Sequence, residues 1–264
     1  MTVSQDLRRF DSLVELIRQL RGPQGCPWDR QQTHASLREH LLEETYEVLE
    51  ALDEQDQANL PVELGDLLMQ VVFHAELAAE AGRFDIGGVI EGICRKLISR
   101  HPHVFAGRRV KDSAEVLANW EELKQAERRH RGGMLDGVPK MLPALSYSQS
   151  VQDRVARVGF DWPDDAGVLD KLNEELAEFR QAPDQPAREA EFGDILFTLA
   201  NYARRQGIDL ESALRTANRK FYRRFSAMEE LARGRGLEMA GLGHEEQNRL
   251  WEEVKAAEST PPAG

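Results

Sequence analysis

Carboxylates at helical spacing are the residues of this sequence best suited to chemistry. The first half of the chain carries the pattern E-E-x-x-E followed by E-x-x-D. Its members are Glu43, Glu44, Glu47, Glu63 and Asp66. Residues three or four positions apart project from one face of a helix, and two neighbouring helices bring such carboxylates into one small volume. Their mutual repulsion favours a divalent cation bound among them.

The donors in this pattern narrow the choice of cation. They are all oxygen atoms, without His or Cys, which indicates Mg²⁺ with Mn²⁺ as a substitute. The ordinary alternative is a solvated helix face, because glutamate is a good helix former. Around Glu63 and Asp66, however, apolar residues surround nearly the whole helix. The sequence therefore predicts that these two carboxylates lie in an interior or an interface.

The same pattern returns about 130 residues later, a period suited to a duplicated domain. The second copy consists of Glu174, Glu175, Glu178, Glu191 and Asp194. Other landmarks recur in the same order, with GCPW as GFDW, ELGDLL as EFGDIL, KLISR as KFYRR and WEELK as WEEVK. Gly65 and Gly193 also correspond, and glycine inside a helix predicts either a close approach by a helix or ligand or a packing notch.

The elements that must position these residues are helices throughout. Apolar residues recur at intervals of three and four, and no long alternating run predicts a strand. The predicted helices are 5–20, 34–55, 58–81, 86–100, 112–131, 143–157, 166–181, 186–206, 208–235 and 244–257. The Gly- and Pro-rich segment RGGMLDGVPKMLP lies at the midpoint. We therefore predict an N-terminal domain at 1–131, a linker at 132–142 and a C-terminal domain at 143–264.

Composition excludes several classes of protein. The formal net charge of -12 argues against a nucleic-acid polymer as partner, because such binding depends on Lys and Arg at the phosphates. Two cysteines are too few for a disulfide framework. The start MTVSQDLRRF lacks the apolar run of a secretory signal, and no run is long enough to cross a membrane. We expect a soluble cytoplasmic protein.

Taken together, these motifs resemble the MazG family of nucleoside triphosphate pyrophosphohydrolases. The resemblance rests on the duplicated carboxylate pattern, on GCPWD at 25–29, on ELGDLL at 63–68 and on SRHPHVFAG at 99–107, and it spans roughly residues 10–257. It implies an all-α fold of tandem helical bundles that forms a homodimer. It also implies Mg²⁺-dependent cleavage of NTPs and dNTPs to the monophosphate and pyrophosphate, with attack by a metal-activated water at the α-phosphorus.

The resemblance also implies roles for particular residues. The metal ligands are expected at Glu175, Glu178, Glu191 and Asp194, with Glu174 and Glu175 as catalytic residues that act on the attacking water. The corresponding Glu44, Glu47, Glu63 and Asp66 are a second candidate metal site. The substrate-binding candidates are Lys171, Arg188, Lys220 and Arg224 for the phosphates and Trp251 for the base. Because the C-terminal half is the competent enzyme in well-known members, we expect catalysis there.

Two other functions fit the same residues. A dedicated dUTP, dCTP or phosphoribosyl-ATP pyrophosphohydrolase would share the carboxylates, although the tandem arrangement argues against it. A noncatalytic dimeric helical module, which binds partners or senses nucleotides, would use the repeat for dimerisation alone. The ordinary interpretations of the basic residues and of Trp251 are a solvated helix face and a core anchor. His101 and His103, in a His-Pro-His turn at a helix end, are expected to be structural.

Overall fold

The computed structural model describes residues 6–113, 115, 116, 119, 120 and 133–259, and no strand occurs among them. The helices of the first half are α1 (Phe10–Arg21), α2 (Pro27–Gln31), α3 (Leu37–Asp53), α4 (Leu60–Glu80), α5 (Ile86–Arg100) and α6 (Pro102–Phe105). Those of the second half are α7 (Ala144–Ala156), α8 (Asp165–Gln181), α9 (Gln185–Arg205), α10 (Leu210–Gly234) and α11 (His244–Ser259), with a 3₁₀ turn at Met239–Gly241. The predicted all-α fold is confirmed.

The chain divides into two compact units, Met1–His130 and Arg131–Gly264. Each unit contains a pair of long helices that carries one copy of the carboxylate pattern, α3 with α4 and α8 with α9. Residues 121–132, which include most of the WEELK motif and the start of the proposed linker, lie outside the described part of the chain. The domain limits predicted from composition therefore stay a proposal.

In the first unit, α4 is the central helix, because both α1 and α3 pack against it. The buried core consists of Ile17, Leu37, Val72 and Phe73. Arg21 joins α1 to the end of α4 by two hydrogen bonds of 2.7 Å to the carboxylate of Glu80. This bidentate pair holds the pKa of the Glu80 carboxyl below its usual range and fixes where α4 ends.

In the second unit, α9 is the central helix and packs against α7 and α8. Aspartates cap three of these helices, and each side chain accepts a hydrogen bond from a backbone N–H in the first turn. The caps are Asp164 for α8, Asp184 for α9 and Asp209 for α10. A separate buried cluster joins α10 to α11 through Met228, Ala232, Leu250 and Val254. The caps begin α8 and α9 at a defined residue, and so set the register of the carboxylates that follow.

The structure shows what surrounds the two motif glycines and α4 within this chain. A Cβ built at Gly65 or Gly193 has no atom within 4 Å in the described chain, so neither glycine accommodates a neighbouring helix of this chain. The apolar circumference of α4 is not fully buried either, because Leu64, Leu68 and Val71 are exposed. The sequence predicted that Glu63 and Asp66 lie in an interior or an interface, and the interface stays a prediction. Here the side that carries Gly65 is open.

Two short helices, α2 and α6, are present in the structure but absent from the helices predicted from the sequence. No helix is predicted between 5–20 and 34–55, but α2 begins there at Pro27. Likewise α5 ends at Arg100, and Pro102 begins the one-turn helix α6. His101 lies between them, with Nδ1 2.7 Å from the carbonyl oxygen of Leu97. This contact at the helix end fits the structural role expected for His101.

Candidate active site

The carboxylates of the second unit converge between α8 and α9. Glu175, Glu178 and Glu191 each place one carboxylate oxygen within 4.8 Å of the others. Glu175 is the most buried of the three, with 5% of its surface exposed. The helical spacing explains why Glu175 and Glu178 share a face of α8, and the packing of α9 on α8 brings Glu191 to them.

The electrostatics of this cluster are unfavourable without a cation. Burial, followed by the negative charges of Glu178, Glu175 and Asp194, raises the pKa of the Glu191 carboxyl. Asp194 is one turn further along α9 and is exposed. It acts on Glu191 through its charge but is not one of the three residues whose oxygens lie within 4.8 Å of one another.

Lys171 supplies a positive charge to this cluster from one turn earlier on α8. Its Nζ lies 2.7 Å from Glu174 Oε1 and 2.8 Å from Glu175 Oε1. The hydrogen bonds to Glu174 and then to Glu175 raise the pKa of the Lys171 ammonium. Glu174 itself is exposed, on the solvent side of Glu175. The structure thus brings both predicted catalytic glutamates into contact with one predicted substrate-binding residue.

The first unit contains a corresponding cluster between α3 and α4. Glu44, Glu63 and Asp66, all half-buried, each offer an oxygen within 4.8 Å of the others. Glu47 is adjacent, and burial, a hydrogen bond with Glu44 and the charge of Glu63 raise the pKa of its carboxyl. Asn59 Nδ2 donates to Glu63 Oε1 at 2.7 Å.

The two clusters differ in their basic neighbour. The position of Lys171 in the repeat is occupied by His40 in the first unit, since each precedes the second glutamate of E-E-x-x-E by four residues. His40 Nδ1 lies 3.5 Å from Glu43 Oε2, and both side chains are largely exposed. Among the residues that the structure describes, an ammonium in contact with a buried carboxylate therefore occurs in the second of the two clusters and not in the first.

The remaining predicted substrate-binding residues are spread over the second unit. Arg224 on α10 donates from Nε to Glu258 Oε2 at 2.7 Å, and Arg223 contacts the same carboxylate. Lys220, one turn earlier, is exposed. Arg188 is exposed at the start of α9, in the wall of a cavity of about 440 Å³ that Phe179 and Phe192 also line. Trp251 is half-buried against the α10 and α11 cluster, with its ring centroid 5.4 Å from that of Phe221.

Sequence reasoning missed two residues with polar contacts at these sites. The carboxylate of Glu258 accepts a hydrogen bond from the guanidinium of Arg224, and the side-chain amide of Asn59 donates one to Glu63. Asn59 could have been found, because it precedes Glu63 by one helical turn. Glu258 could not, because it reaches Arg224 from a different helix and a distant part of the sequence.

Both clusters have the donor chemistry of a site for a hard divalent cation. Their ligand atoms are carboxylate oxygens, the type that Mg²⁺ and Mn²⁺ prefer. The raised pKa values of Glu191 and Glu47 indicate an excess of negative charge in each set, which a divalent ion would offset. The residues present therefore fit a metal of this class in either half.

Comparisons with known proteins agree with these motifs. The model of the MazG nucleotide pyrophosphohydrolase domain matches residues 32–105. The chain is 46% identical over 260 residues to the nucleoside triphosphate pyrophosphohydrolase of Escherichia coli K12, covering 96% of this chain and 99% of that protein. The chain belongs to the MazG family.

Other MazG relatives extend over nearly all of this chain. The nucleoside triphosphate pyrophosphohydrolase/pyrophosphatase MazG of Thermotoga maritima is 43% identical over 252 residues, covering 95% of this chain and 97% of that protein. The uncharacterized protein YabN of Bacillus subtilis is 48% identical over 254 residues, which are 94% of this chain and 52% of that protein. The two full-length relatives span both carboxylate clusters, whereas the MazG domain match falls on the first.

Proposed function

We propose that the protein hydrolyses nucleoside triphosphates, both NTPs and dNTPs, to the nucleoside monophosphate and pyrophosphate. The observation that carries the proposal is the convergence of three carboxylates on adjoining helices in a MazG chain. Identity over nearly full length to pyrophosphohydrolases supports the same reaction. This chemistry suits control of the nucleotide pool, either by removal of unwanted triphosphates or by adjustment of nucleotide levels under stress. We propose that the protein acts in the cytoplasm.

In this proposal the catalytic site is the cluster of the second unit. Glu175, Glu178, Glu191 and Asp194 hold Mg²⁺, for which Mn²⁺ can substitute, and Glu44, Glu47, Glu63 and Asp66 form a second metal site. A metal held by these residues would supply positive charge to offset the triphosphate and would lower the pKa of a water molecule. Glu174 and Glu175 orient that water and accept its proton.

The cationic residues of the second unit bind the phosphates in this proposal. Lys171 is in contact with the carboxylates in the free protein and turns to a phosphate when substrate is present. Lys220 and Arg224 lie one turn apart on α10, and Arg188 lies one turn before Glu191 on α9. A guanidinium can bind a phosphate through two hydrogen bonds. Arg224 must first leave Glu258 to do so.

We also propose that the protein is a homodimer. The face of α4 around Gly65 exposes Leu64, Leu68 and Val71, and the face of α9 around Gly193 exposes Phe192 and Leu196. Apolar rows of this kind, beside a glycine that leaves the backbone accessible, suit packing by a second copy. No helix in the described ranges is long and apolar enough to cross a membrane.

The reaction is tested by product analysis with the purified protein. Each NTP and dNTP is incubated with Mg²⁺, with Mn²⁺ or with EDTA, and pyrophosphate is separated from orthophosphate. We expect metal-dependent release of the monophosphate and pyrophosphate. A variant that combines Glu44→Gln and Glu175→Gln is the negative control, because it damages both clusters. Turnover of a single pyrimidine triphosphate would favour a dedicated enzyme, and no turnover would favour a noncatalytic nucleotide-sensing module.

A further inference from the structure

Two histidines of the first unit, His34 and His74, are in direct contact through like atoms. Nδ1 of His34 lies 2.8 Å from Nδ1 of His74, and the two rings are stacked with an interplanar angle of 3° and their centroids 5.1 Å apart. His34 lies just before the start of α3, and His74 lies on α4. The pair therefore joins the entry of one long helix to the side of the other.

The contact fixes the number of protons between the two rings. A distance of 2.8 Å is that of a hydrogen bond, which requires one N–H and one bare lone pair. Without a proton two lone pairs would face each other, and with two protons two N–H groups would do so. A neutral imidazole carries one proton. A neutral pair therefore holds one proton in the contact and the other at Nε2 of one of the two rings.

The surroundings of His74 decide which ring carries the outer proton. Its Nε2 is buried with no hydrogen-bond partner among the residues that the structure describes. Gln70 Oε1, one turn earlier on α4, is also buried without a partner, so it does not accept from Nε2. A buried N–H without an acceptor is rarer in proteins than a buried acceptor without a donor. His34 is only half-buried, so its Nε2–H can donate to water. His74 therefore donates from Nδ1, and His34 carries its proton on Nε2.

A further proton does not fit this pair. While the Nδ1 contact lasts, both Nε2 atoms must be protonated, and the proton on His74 has no acceptor. The alternative is a proton on each Nδ1, which breaks the contact. Burial of His74, followed by the charge of His34, lowers the pKa of the His74 imidazole. Both effects favour the neutral pair.

Other charged groups do not compensate an imidazolium at this position. Among the residues that the structure describes, the charge that shifts the pKa of His74 is that of His34. The charged side chains that the neighbouring helices turn inwards are engaged with other groups: Arg18 with Glu76, Arg21 with Glu80 and Asp29, Glu44 with Glu63 and Asp66, and the cap Asp85 with the first turn of α5.

We propose that His34 and His74 form a latch that holds the start of α3 against α4 while both imidazoles are neutral, and that releases it when acid protonates the pair. This latch does not depend on the proposed reaction. Leu37 at the start of α3 and Phe73 beside His74 both belong to the buried core of the first unit. Release of the latch therefore loosens the edge of that core together with the entry of α3.

The test follows each histidine of the full-length protein, labelled with ¹⁵N-histidine, by long-range ¹H–¹⁵N NMR from pH 8 to pH 5. We expect the Nδ1–H form of His74 and the Nε2–H form of His34 at pH 8. His74 should still be neutral at pH 5.5, where an unperturbed imidazole is about nine-tenths protonated. When His74 does protonate, amide hydrogen exchange at 33–37, corrected for its intrinsic pH dependence, should rise at the same pH. An Nε2–H form of His74 at pH 8, or its protonation without that rise, overturns the latch.

His74→Phe keeps a planar ring but removes the latch, and His244→Phe makes the same change at the exposed start of α11 as a control. Because the pKa of His74 is lowered in the folded state, the unfolded chain binds a proton that the folded chain does not. The latch therefore stabilises the protein above about pH 6.5, and this contribution is lost as pH falls.

Denaturant unfolding at pH 7.5 and pH 5.5 measures that loss. Between these values the folding equilibrium constant of the parent should fall about 10-fold more than that of His74→Phe. His244→Phe should behave as the parent protein. An equal fall for the parent and His74→Phe overturns the latch. The NMR measurement on the parent protein decides the question even where His74→Phe does not fold.

Discussion

At the scale of single residues, the site is defined by carboxylates that are too close to one another to be stable alone. Burial, followed by the charges of Glu178, Glu175 and Asp194, raises the pKa of Glu191. A carboxyl with a raised pKa in the folded state binds its proton more tightly there than in the unfolded chain. Its ionisation therefore lowers the free energy of unfolding as pH rises through the folded pKa, and protonation restores it.

Glu191→Gln should consequently raise the melting temperature of the metal-free protein at pH 7. The gain should shrink towards pH 4, where the parent carboxyl is protonated. The same variant should lose the stabilisation that Mg²⁺ gives the parent protein. Thermal unfolding at pH 7 and pH 4, with EDTA or with Mg²⁺, measures these changes in melting temperature. Glu189→Gln, at an exposed position on the same helix outside the cluster, is the control. A lower melting temperature for Glu191→Gln at pH 7 in EDTA would contradict the argument.

Residue spacing predicted contacts within a helix and the convergence of the carboxylates of two helices, but no other contact between helices. The approach of Lys171 to Glu175 follows from their separation of one helical turn. The pairing of Arg224 with Glu258, and that of Gln152 with the Phe197 carbonyl, join residues of different helices. Hydrophobic periodicity shows which face of a helix is apolar, but not which residue of another helix it meets.

At the scale of the elements, the long helices follow from periodicity and their ends follow from caps. The predicted 86–100 coincides with α5, and the predicted 166–181 differs from α8 by one residue because Asp164 caps the helix at Asp165. The short helices α2 and α6 escaped prediction because one turn is too short to show a period. The sequence also left open whether the apolar surface of α4 lies in an interior or an interface, because an apolar sequence does not reveal whether its cover belongs to the same chain.

Gly193→Ala tests whether the open side of α9 is open in solution. No atom lies within 4 Å of the added Cβ, so alanine should raise the free energy of unfolding by about 1 kcal/mol through helix propensity. Gly167→Ala is the opposite case, because its Cβ would lie 2.8 Å from the Trp162 ring, and it should destabilise the protein. Denaturant unfolding gives both values, and light scattering gives the oligomeric state. Destabilisation by Gly193→Ala with loss of a dimer would place the second copy on this face.

At the scale of the whole molecule, duplication has produced two carboxylate clusters with different surroundings. The second has a buried glutamate in contact with an ammonium, whereas the first has an exposed His40 beside Glu43. The resemblance of the halves was visible in the sequence because it lies in short motifs. The exchange of Lys171 for His40 was visible in the sequence too, but the carboxylates that each side chain contacts were not.

Single variants should therefore separate the two units. We expect Glu175→Gln to reduce pyrophosphate release by roughly 100-fold or more, the scale of losing a group that acts on developing charge. Glu44→Gln should leave most of the turnover. Steady-state kinetics measures the rate of pyrophosphate release by both variants, and circular dichroism confirms their helical content. The reverse pattern would assign catalysis to the first unit, and equal losses would show that each unit needs the other.

The contact of Lys171 with Glu174 and Glu175 has a consequence for the order of binding. In the proposed metal site this ammonium would compete with Mg²⁺ for the Glu175 carboxylate, so a metal that arrives alone would have to displace it. A triphosphate that arrives with the metal offers the displaced ammonium a phosphate oxygen instead. Metal and nucleotide thereby strengthen each other's binding, and by thermodynamic linkage the gain is equal for both. In the proposed site, the metal would then be held most firmly when substrate is bound.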